Sequence, residues 1–114
     1  MEKIKQNYEF RRAYSRGKSY VTPFFVIYLF KHRKNTVRLG ITTSKKIGKA
    51  VSRNRARRVI TAAFGQVLPF LQPGYDVVIV ARSRILAVKS TFAAAVMKKQ
   101  LQAAGVWKEH EANQ

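Results

Sequence analysis

The alternation of apolar and polar residues is most regular between residues 51 and 67, where it predicts an amphipathic helix. At about 100° per residue, one arc of this helix carries Ala56, Val59, Ile60, Ala63, Phe64 and Val67. The opposite arc carries Asn54, Arg55, Arg57 and Arg58. The helix is expected to end near Leu68, because Pro69 cannot continue it. The spacing therefore predicts one buried face and one almost purely cationic face.

The rest of the chain divides into shorter helical and extended patterns. A helix is predicted from Asn7 to about Ser15, and a last helix from Ser90 to Gly105. Extended apolar runs predict strands at residues 24–30, 36–42 and 77–81, the last one central and buried on both faces. The order helix, strand, strand, helix, strand, helix indicates an α+β domain, with one sheet and helices packed mainly on one face.

The first two predicted strands are expected to pair as an antiparallel hairpin. Its core face would join Phe25, Ile27 and Leu29 to Val37, Leu39 and Ile41. The other face would carry Tyr28 and Arg38 beside Gly40, an arrangement that suits stacking of unpaired bases. Phe10 and Tyr14 share a face of the first helix, and their spacing alone favours a core-facing stripe.

Charge is the compositional feature that most restricts the function. The 114 residues hold 23 Lys and Arg against five Asp and Glu, which gives a net charge of +18. Seven of the basic residues and no acidic one lie between Lys45 and Arg58. Like charges at i,i+4 spacing oppose helix formation, so this segment predicts a polyanionic partner. The alternative is a face that only keeps the protein in solution.

Composition argues against several other classes of protein. The chain has no Cys, so neither a disulfide framework nor a cysteine metal site is possible. No apolar run approaches the ~18 residues of a membrane span, and no early apolar run predicts a secretory signal, so a cytoplasmic protein is expected. Asp76 is the only acidic residue between residues 10 and 108, and its position before a buried strand favours a structural role. No catalytic set and no metal site are predicted in the protein.

RNA is the polyanion that the pattern favours. A basic helix could enter a DNA major groove, but no second helix precedes it at helix-turn-helix spacing. Aromatic and basic side chains on one sheet face fit single-stranded or loop RNA better. Asn54 is the uncharged member of the cationic face, and its amide can contact a base or a 2′-hydroxyl. We expect a single RNA-binding domain, residues 1–114, with mobile tails at residues 1–6 and 106–114.

The segment KKIGKAVSRNRARR, Lys45 to Arg58, resembles the signature of the bacterial ribonuclease P protein subunit, which is built around Arg53-Asn54-Arg55. Upstream, Phe10 and Tyr14 are also similar to the family pattern, and the resemblance covers about residues 4–104. It implies a single mixed β-sheet of the ribosomal protein S5 domain 2-like type. It also implies a left-handed β-α-β crossover, against the usual right-handed rule.

The resemblance further implies a function. The family's protein assists a catalytic RNA that removes the 5′ leader from precursor tRNA, and the RNA holds the Mg²⁺ ions. The implied partners are ribonuclease P RNA and precursor tRNA, with no obligate protein partner. Residues expected to contact the catalytic RNA are Lys45, Lys46, Lys49, Arg53, Asn54, Arg55, Arg57 and Arg58. Residues expected to contact the single-stranded leader are Phe10, Arg11, Tyr14, Tyr28, Lys46 and Arg53.

The resemblance thus moves Phe10 and Tyr14 from the core to a cleft. Thr61 stands where family members often carry another Arg, so the cationic face is expected to make one phosphate contact fewer. The alternative class is a general RNA-binding or ribosome-associated structural protein, which would bind many RNAs and change no cleavage rate.

Overall fold

The structure, a computed structural model, describes residues 1–108. Its strands are β1 (Glu2–Lys3), β2 (Lys18–Val21), β3 (Phe25–Lys31), β4 (Val37–Thr42) and β5 (Tyr75–Ala81). Its helices are α1 (Asn7–Arg16), α2 (Ala50–Val67) and α3 (Ser90–Ala103). Short 3₁₀ turns lie at Lys45–Ile47, Leu68–Phe70 and Ser83–Ala87.

The strands form one mixed sheet in the order β1-β4-β5-β3-β2. The central strand β5 is antiparallel to β3 and parallel to β4, so Ile79 lies opposite Ile27 on one side and Ile41 on the other. Val77 and Val78 are at most 1% exposed, and a strand this apolar is most stable with neighbours on both edges and cover on both faces. The helix α2 connects β4 to its parallel neighbour β5.

The predicted hairpin of residues 24–30 and 36–42 is wrong, because β5 lies between β3 and β4. Pairing those two strands directly would move the most apolar strand toward an edge of the sheet, where its backbone groups lack partners. The hairpin partner of β3 is β2, a strand that is absent from the predicted elements. Its four residues, KSYV, are mostly exposed and carry no apolar run that would predict a strand.

Two of the three helices pack on one face of the sheet, which confirms the predicted fold class. The core on this face contains the fully buried side chains of Phe25, Ile27, Ile60, Phe64, Met97 and Leu101. The predicted apolar arc of α2 and the predicted core face of β3 are thereby confirmed. On the opposite face, α1 covers Val78 through the buried Ala13.

Parts of both predicted tails make contacts with the rest of the described chain. Residues Glu2 and Lys3 pair in parallel with β4, and Ile4 is buried while its N–H donates to the Leu39 carbonyl at 2.9 Å. Trp107, after the last helix, is buried and forms an isolated bridge with Leu71. Ile4 and Trp107 each bury an apolar side chain, which stabilises an ordered terminus. Residues 109–114 lie outside the described part of the chain.

Candidate RNA interface

A short turn out of β4 positions the basic helix. The Ser44 side chain accepts a hydrogen bond from the backbone N–H of Lys46 at 3.3 Å, and Ile47 is buried in the core. Gly48 has a φ of +136°, a conformation that side chains disfavour. The helix α2 then begins at Ala50, with its apolar arc in the core and its cationic arc directed outward.

The residues predicted to bind the catalytic RNA lie on α2 and the turn before it. This cationic surface consists of Lys45, Lys46, Lys49, Arg53, Asn54, Arg55, Arg57 and Arg58, all of them exposed except the half-buried Arg53. The Arg53 guanidinium donates to the Gly48 carbonyl at 2.7 Å, so it also closes the turn. Arg57 donates to the Ile41 carbonyl at 3.3 Å and thereby ties α2 to β4.

Within residues 1–108, no carboxylate compensates the charge of the cationic surface. The ion pairs in this part of the chain join Arg12, His32 and Arg38 to Glu9 or Asp76. The positive charges of α2 and its turn therefore repel one another, and a bound polyanion would relieve that repulsion.

The two buried carboxylates are held by arginine. Arg38 donates twice to Asp76, through Nε and Nη2, both at 2.8 Å, and its Nη2 lies 2.7 Å from Glu9 Oε2. The hydrogen bonds to Asp76 raise the pKa of the Arg38 guanidinium above its ordinary value. Burial alone would raise the pKa of Glu9, but the hydrogen bonds from Arg38 and from the Gln6 backbone, together with the charge of Arg38, outweigh burial and hold that pKa below its ordinary value.

These ion pairs limit what Arg38, Glu9 and Asp76 can bind. Asp76 is fully buried and structural, as predicted. Arg38 is occupied by two carboxylates, so its guanidinium is less available to a base beside Tyr28 than the sequence pattern suggests. The oxygen atoms of Glu9 and Asp76 face guanidinium groups, and no cluster of three potential metal ligands occurs in residues 1–108. The donor set that the structure describes therefore does not fit a Mg²⁺ site.

The three aromatic residues predicted to contact the leader come together on the α1 face of the sheet. The rings of Tyr14 and Tyr28 meet edge to face, with centroids 5.1 Å apart. The Tyr14 hydroxyl forms a 2.5 Å hydrogen bond with the hydroxyl of Thr42. Phe10 lies over Gly40, where a Cβ would come within 2.7 Å of the ring. Tyr14 is 38% exposed and the other two rings are half-buried, so the cluster remains accessible.

A groove joins this cluster to the basic helix. It has a volume of about 260 Å³ and is lined on one side by Phe10 and Gly40, and on the other by Arg57 and Thr61. We call this groove, with Tyr14 and Tyr28 beside it, the aromatic groove. Thr61, which replaces an expected arginine, leaves Arg57 as the cation among the α2 residues that line the groove.

The remaining predicted residues lie near the aromatic groove, which also has a contributor that was not predicted. Arg11 is exposed on α1, and Lys46 follows Thr42 by four residues in the turn. No contact brings Arg53 to the aromatic cluster, because its guanidinium is directed at Gly48. Thr42 is the additional contributor, and its alternation with Gly40 in β4 is the signal that places it on the face opposite the core.

Comparison with known proteins identifies the family. A family model described as Ribonuclease P matches residues 1–105. The chain belongs to the ribonuclease P protein family. It is 46% identical over 82 residues to the ribonuclease P protein component of Clostridium botulinum (strain Loch Maree / Type A3), a match that covers 71% of this chain and 74% of the relative. It is 38% identical over 106 residues to that of Thermoanaerobacter sp. (strain X514), covering 89% and 91%.

The fold agrees with this assignment. The solved structure of the Staphylococcus aureus RNase P protein matches with a TM-score of 0.80 and 29% identity, covering 95% of this chain and 99% of that one. The chain is therefore a component of the ribonuclease P holoenzyme (EC 3.1.26.5), takes part in tRNA 5′ processing and partners the ribonuclease P RNA.

Family membership replaces the alternative of a general RNA-binding protein, and it implies a metal-dependent holoenzyme. Across residues 1–108, no helix has both the length and the apolar character needed to cross a membrane.

Proposed function

We propose that the two surfaces bind different RNAs. The cationic surface binds the ribonuclease P RNA, and the aromatic groove binds the single-stranded 5′ leader of precursor tRNA. The observation that supports this most directly is the groove of about 260 Å³ that Phe10 and Arg57 both line. Its walls offer a ring for a base and a guanidinium for a phosphate, the two parts of an unpaired nucleotide.

The cationic surface suits a folded RNA because its charges have no internal partners. Each Lys or Arg that meets a phosphate releases counterions, so its contribution to affinity falls as salt rises. These contacts position the protein and carry little sequence information. Asn54 lies among them, exposed and uncharged, and its amide can both donate to and accept from a base edge or a 2′-hydroxyl.

The aromatic groove suits an unpaired strand of varied sequence. Stacking on Tyr14, Tyr28 or Phe10 is available to any base, because every base has a π-face. Arg11 and Lys46 are exposed and close enough in sequence to the groove to meet the phosphates on either side. Arg53 acts here through the turn that it closes at Gly48.

We assign the cleavage chemistry to the RNA and to the Mg²⁺ that it holds. The carboxylates Glu9 and Asp76 are committed to Arg38 and Arg12, so they are poor candidates for metal ligands or a general base. The protein contributes binding energy and orientation, which raise the fraction of precursor held correctly at the catalytic RNA.

Cleavage of precursor tRNA tests this proposal. A bacterial ribonuclease P RNA is incubated with precursor at low Mg²⁺, with and without this protein, and the new 5′ end is mapped. We expect strong stimulation at the mature 5′ position for a precursor with a long leader, and less for a leader of one or two nucleotides. Stimulation that does not depend on leader length would refute the role of the aromatic groove.

A further inference from the structure

A second pair of aromatic rings lies on the α3 side of the sheet, away from the aromatic groove. Phe24 immediately precedes β3, and Phe92 lies in the first turn of α3. Their rings meet edge to face, with centroids 5.3 Å apart and planes at 85°. Phe92 is 49% exposed, whereas Phe24 is half-buried against the core. We call these two residues the aromatic pair.

The aromatic pair lies at the end of the sheet from which α2 starts. Phe25 pairs with Ala81 and Thr42 pairs with Val80, so the start of β3 lies beside the ends of β4 and β5. The turn that begins α2 leaves the sheet at this same end. The aromatic pair is therefore near the cationic surface, and on the face of the sheet opposite α1.

The backbone around Phe24 is fixed before any ligand binds. The buried hydroxyl of Thr22 donates to the Phe25 carbonyl at 2.7 Å and accepts from the N–H groups of Phe24 and Phe25 at 3.2 and 3.0 Å. The Phe24 carbonyl accepts from the N–H of Arg82 at 3.0 Å. A ring on a backbone that is already held in place loses less conformational entropy when another ring stacks on it.

The contact with Phe24 accounts for only part of the Phe92 side chain. Phe92 is 49% exposed, and apolar surface left in water contributes nothing to fold stability. In an edge-to-face pair only one ring face is used in the contact, so further faces stay open to a partner. The aromatic pair thus has the properties of a stacking surface.

One cation lies beside the aromatic pair, and others line a pocket between α2 and the start of α3. The Arg84 guanidinium lies 5.9 Å from the centroid of the Phe24 ring. An open pocket of about 570 Å³ separates α2 from the start of α3, lined by Arg55 and Arg58 on one side and by Lys89 and Thr91 on the other. In residues 1–108, none of these four cations forms an ion pair.

We propose that the aromatic pair stacks against an unpaired base of the ribonuclease P RNA, while Arg84 and Lys89 contact the neighbouring phosphates. The inference rests on the proposed role of the cationic surface, whose residues Arg55 and Arg58 line the pocket between α2 and the start of α3, where Phe92 directly follows the lining residue Thr91. The leader is assigned to the α1 face, so the RNA on the α2 and α3 side is the catalytic one. The positive charge around the pair favours an RNA over a second copy of this basic chain.

The affinity of Phe92→Ala for the ribonuclease P RNA tests the inference. We expect the dissociation constant to rise about 5- to 150-fold, the range for loss of one stacked base. The salt dependence of binding should be unchanged, because no charge is removed. The matched control is Phe70→Ala, because Phe70 is also partly exposed, at 38%, and also contacts another ring, that of Trp107. Phe70 follows the C-terminal end of α2, whereas the aromatic pair lies at the end of the sheet from which α2 starts. Phe70→Ala should change affinity less than about twofold, and thermal melting confirms that both variants fold.

A fluorescent variant provides a second measurement. Phe92→Trp keeps a ring at this position, so it should bind nearly as tightly as the wild type. Its indole should be quenched when the RNA is added, beyond any change in the signal of Trp107, the only tryptophan of the natural chain. Unquenched emission in the bound complex would overturn the inference.

The outcomes separate this inference from the proposed function. If Arg58→Ala weakens binding and Phe92→Ala does not, the inference is refuted and the proposed function stands. If neither variant weakens binding, the cationic surface is not the interface and both fail. A Phe92→Ala effect confined to precursor tRNA would make the leader the occupant, and one confined to self-association would make it a second copy. Either result would overturn the inference.

Discussion

Substitution of Gly40 by alanine tests whether Phe10 forms the wall of the aromatic groove. An added Cβ would lie 2.7 and 2.9 Å from two ring atoms of Phe10 and 3.2 Å from Ile4 Cδ1. Ordinary contact begins at 3.4 Å, so the Phe10 ring must move by about 0.7 Å or more. The backbone of β4 cannot take up this shift easily, because it is paired with β5 on one side and β1 on the other.

The expected magnitude follows from two opposing terms. Overpacking of a well-packed site costs ~1–3 kcal/mol, and the middle of that range applies because the clash meets two side chains, those of Phe10 and Ile4. Removing a glycine from a strand stabilises by about 0.5–1 kcal/mol through the unfolded chain. We therefore expect Gly40→Ala to lose about 1 kcal/mol of unfolding free energy, a decrease of about 4 °C in Tm for a domain of this size.

Thermal melting and leader-dependent binding measure the two consequences. The holoenzyme made with Gly40→Ala should bind precursor tRNA with a long leader more weakly, while its protein still binds the catalytic RNA as the wild type does. The control is Gly65→Ala on α2, where an added Cβ meets nothing within 4 Å; it should raise stability by about 0.5–1 kcal/mol. Wild-type stability and wild-type leader preference in Gly40→Ala would refute the packing of Phe10 on Gly40.

Three further predictions concern single side chains. Arg58→Ala should lower the salt slope of catalytic-RNA binding by about one unit. Lys99→Ala, at an exposed position on α3, should leave the slope unchanged. Equal slopes for Arg58→Ala and the wild type in titrations over a salt series would exclude Arg58 from the interface. Tyr14→Ala should weaken binding of leadered precursor by about 1–3 kcal/mol, while Tyr14→Phe, which loses only the bond to Thr42, should keep most of it; loss in both variants would assign the effect to the hydroxyl. Because its pKa is lowered by folding, Glu9 stabilises the protein above its ordinary pKa, and this stability is lost as the pH falls through the lowered value. Urea unfolding between about pH 5 and about pH 3 should thus depend less on pH in Glu9→Gln, and identical pH dependence would contradict the role assigned to the Arg38 hydrogen bond.

Patterns within one element are predictable from the sequence. The apolar arc of α2 is buried and its cationic arc is exposed, because helical periodicity depends only on spacing along the chain. The strand at residues 77–81 lies at the centre of the sheet, as its unbroken apolar run predicts, because such a run requires cover on both faces. The signature around Arg53-Asn54-Arg55 indicates the family for the same reason, since it consists of residue types at short, fixed spacing.

Pairings between distant segments are harder to predict from the sequence. The predicted hairpin of β3 and β4 is wrong because a strand later in the chain can compete for the same pairing edges. Here β5 pairs with both strands and lies between them. Arg38 has the local pattern of a free cation, since nothing nearby in the chain places it beside Glu9 and Asp76, which are 29 and 38 residues away. No sequence pattern predicts the contact between Phe24 and Phe92, because 68 positions separate them.

The sequence by itself determined the family, the charge of the interface and the helix that carries it, since all three depend on residue types at short spacing. Only the tertiary structure decided which surfaces those residues share. It brought Phe10 of α1 to Arg57 of α2 across Gly40, and it used Arg38 to neutralise the buried carboxylates. Such neighbours follow from the competition of all strands for one core, in which non-local burial outweighs local preference.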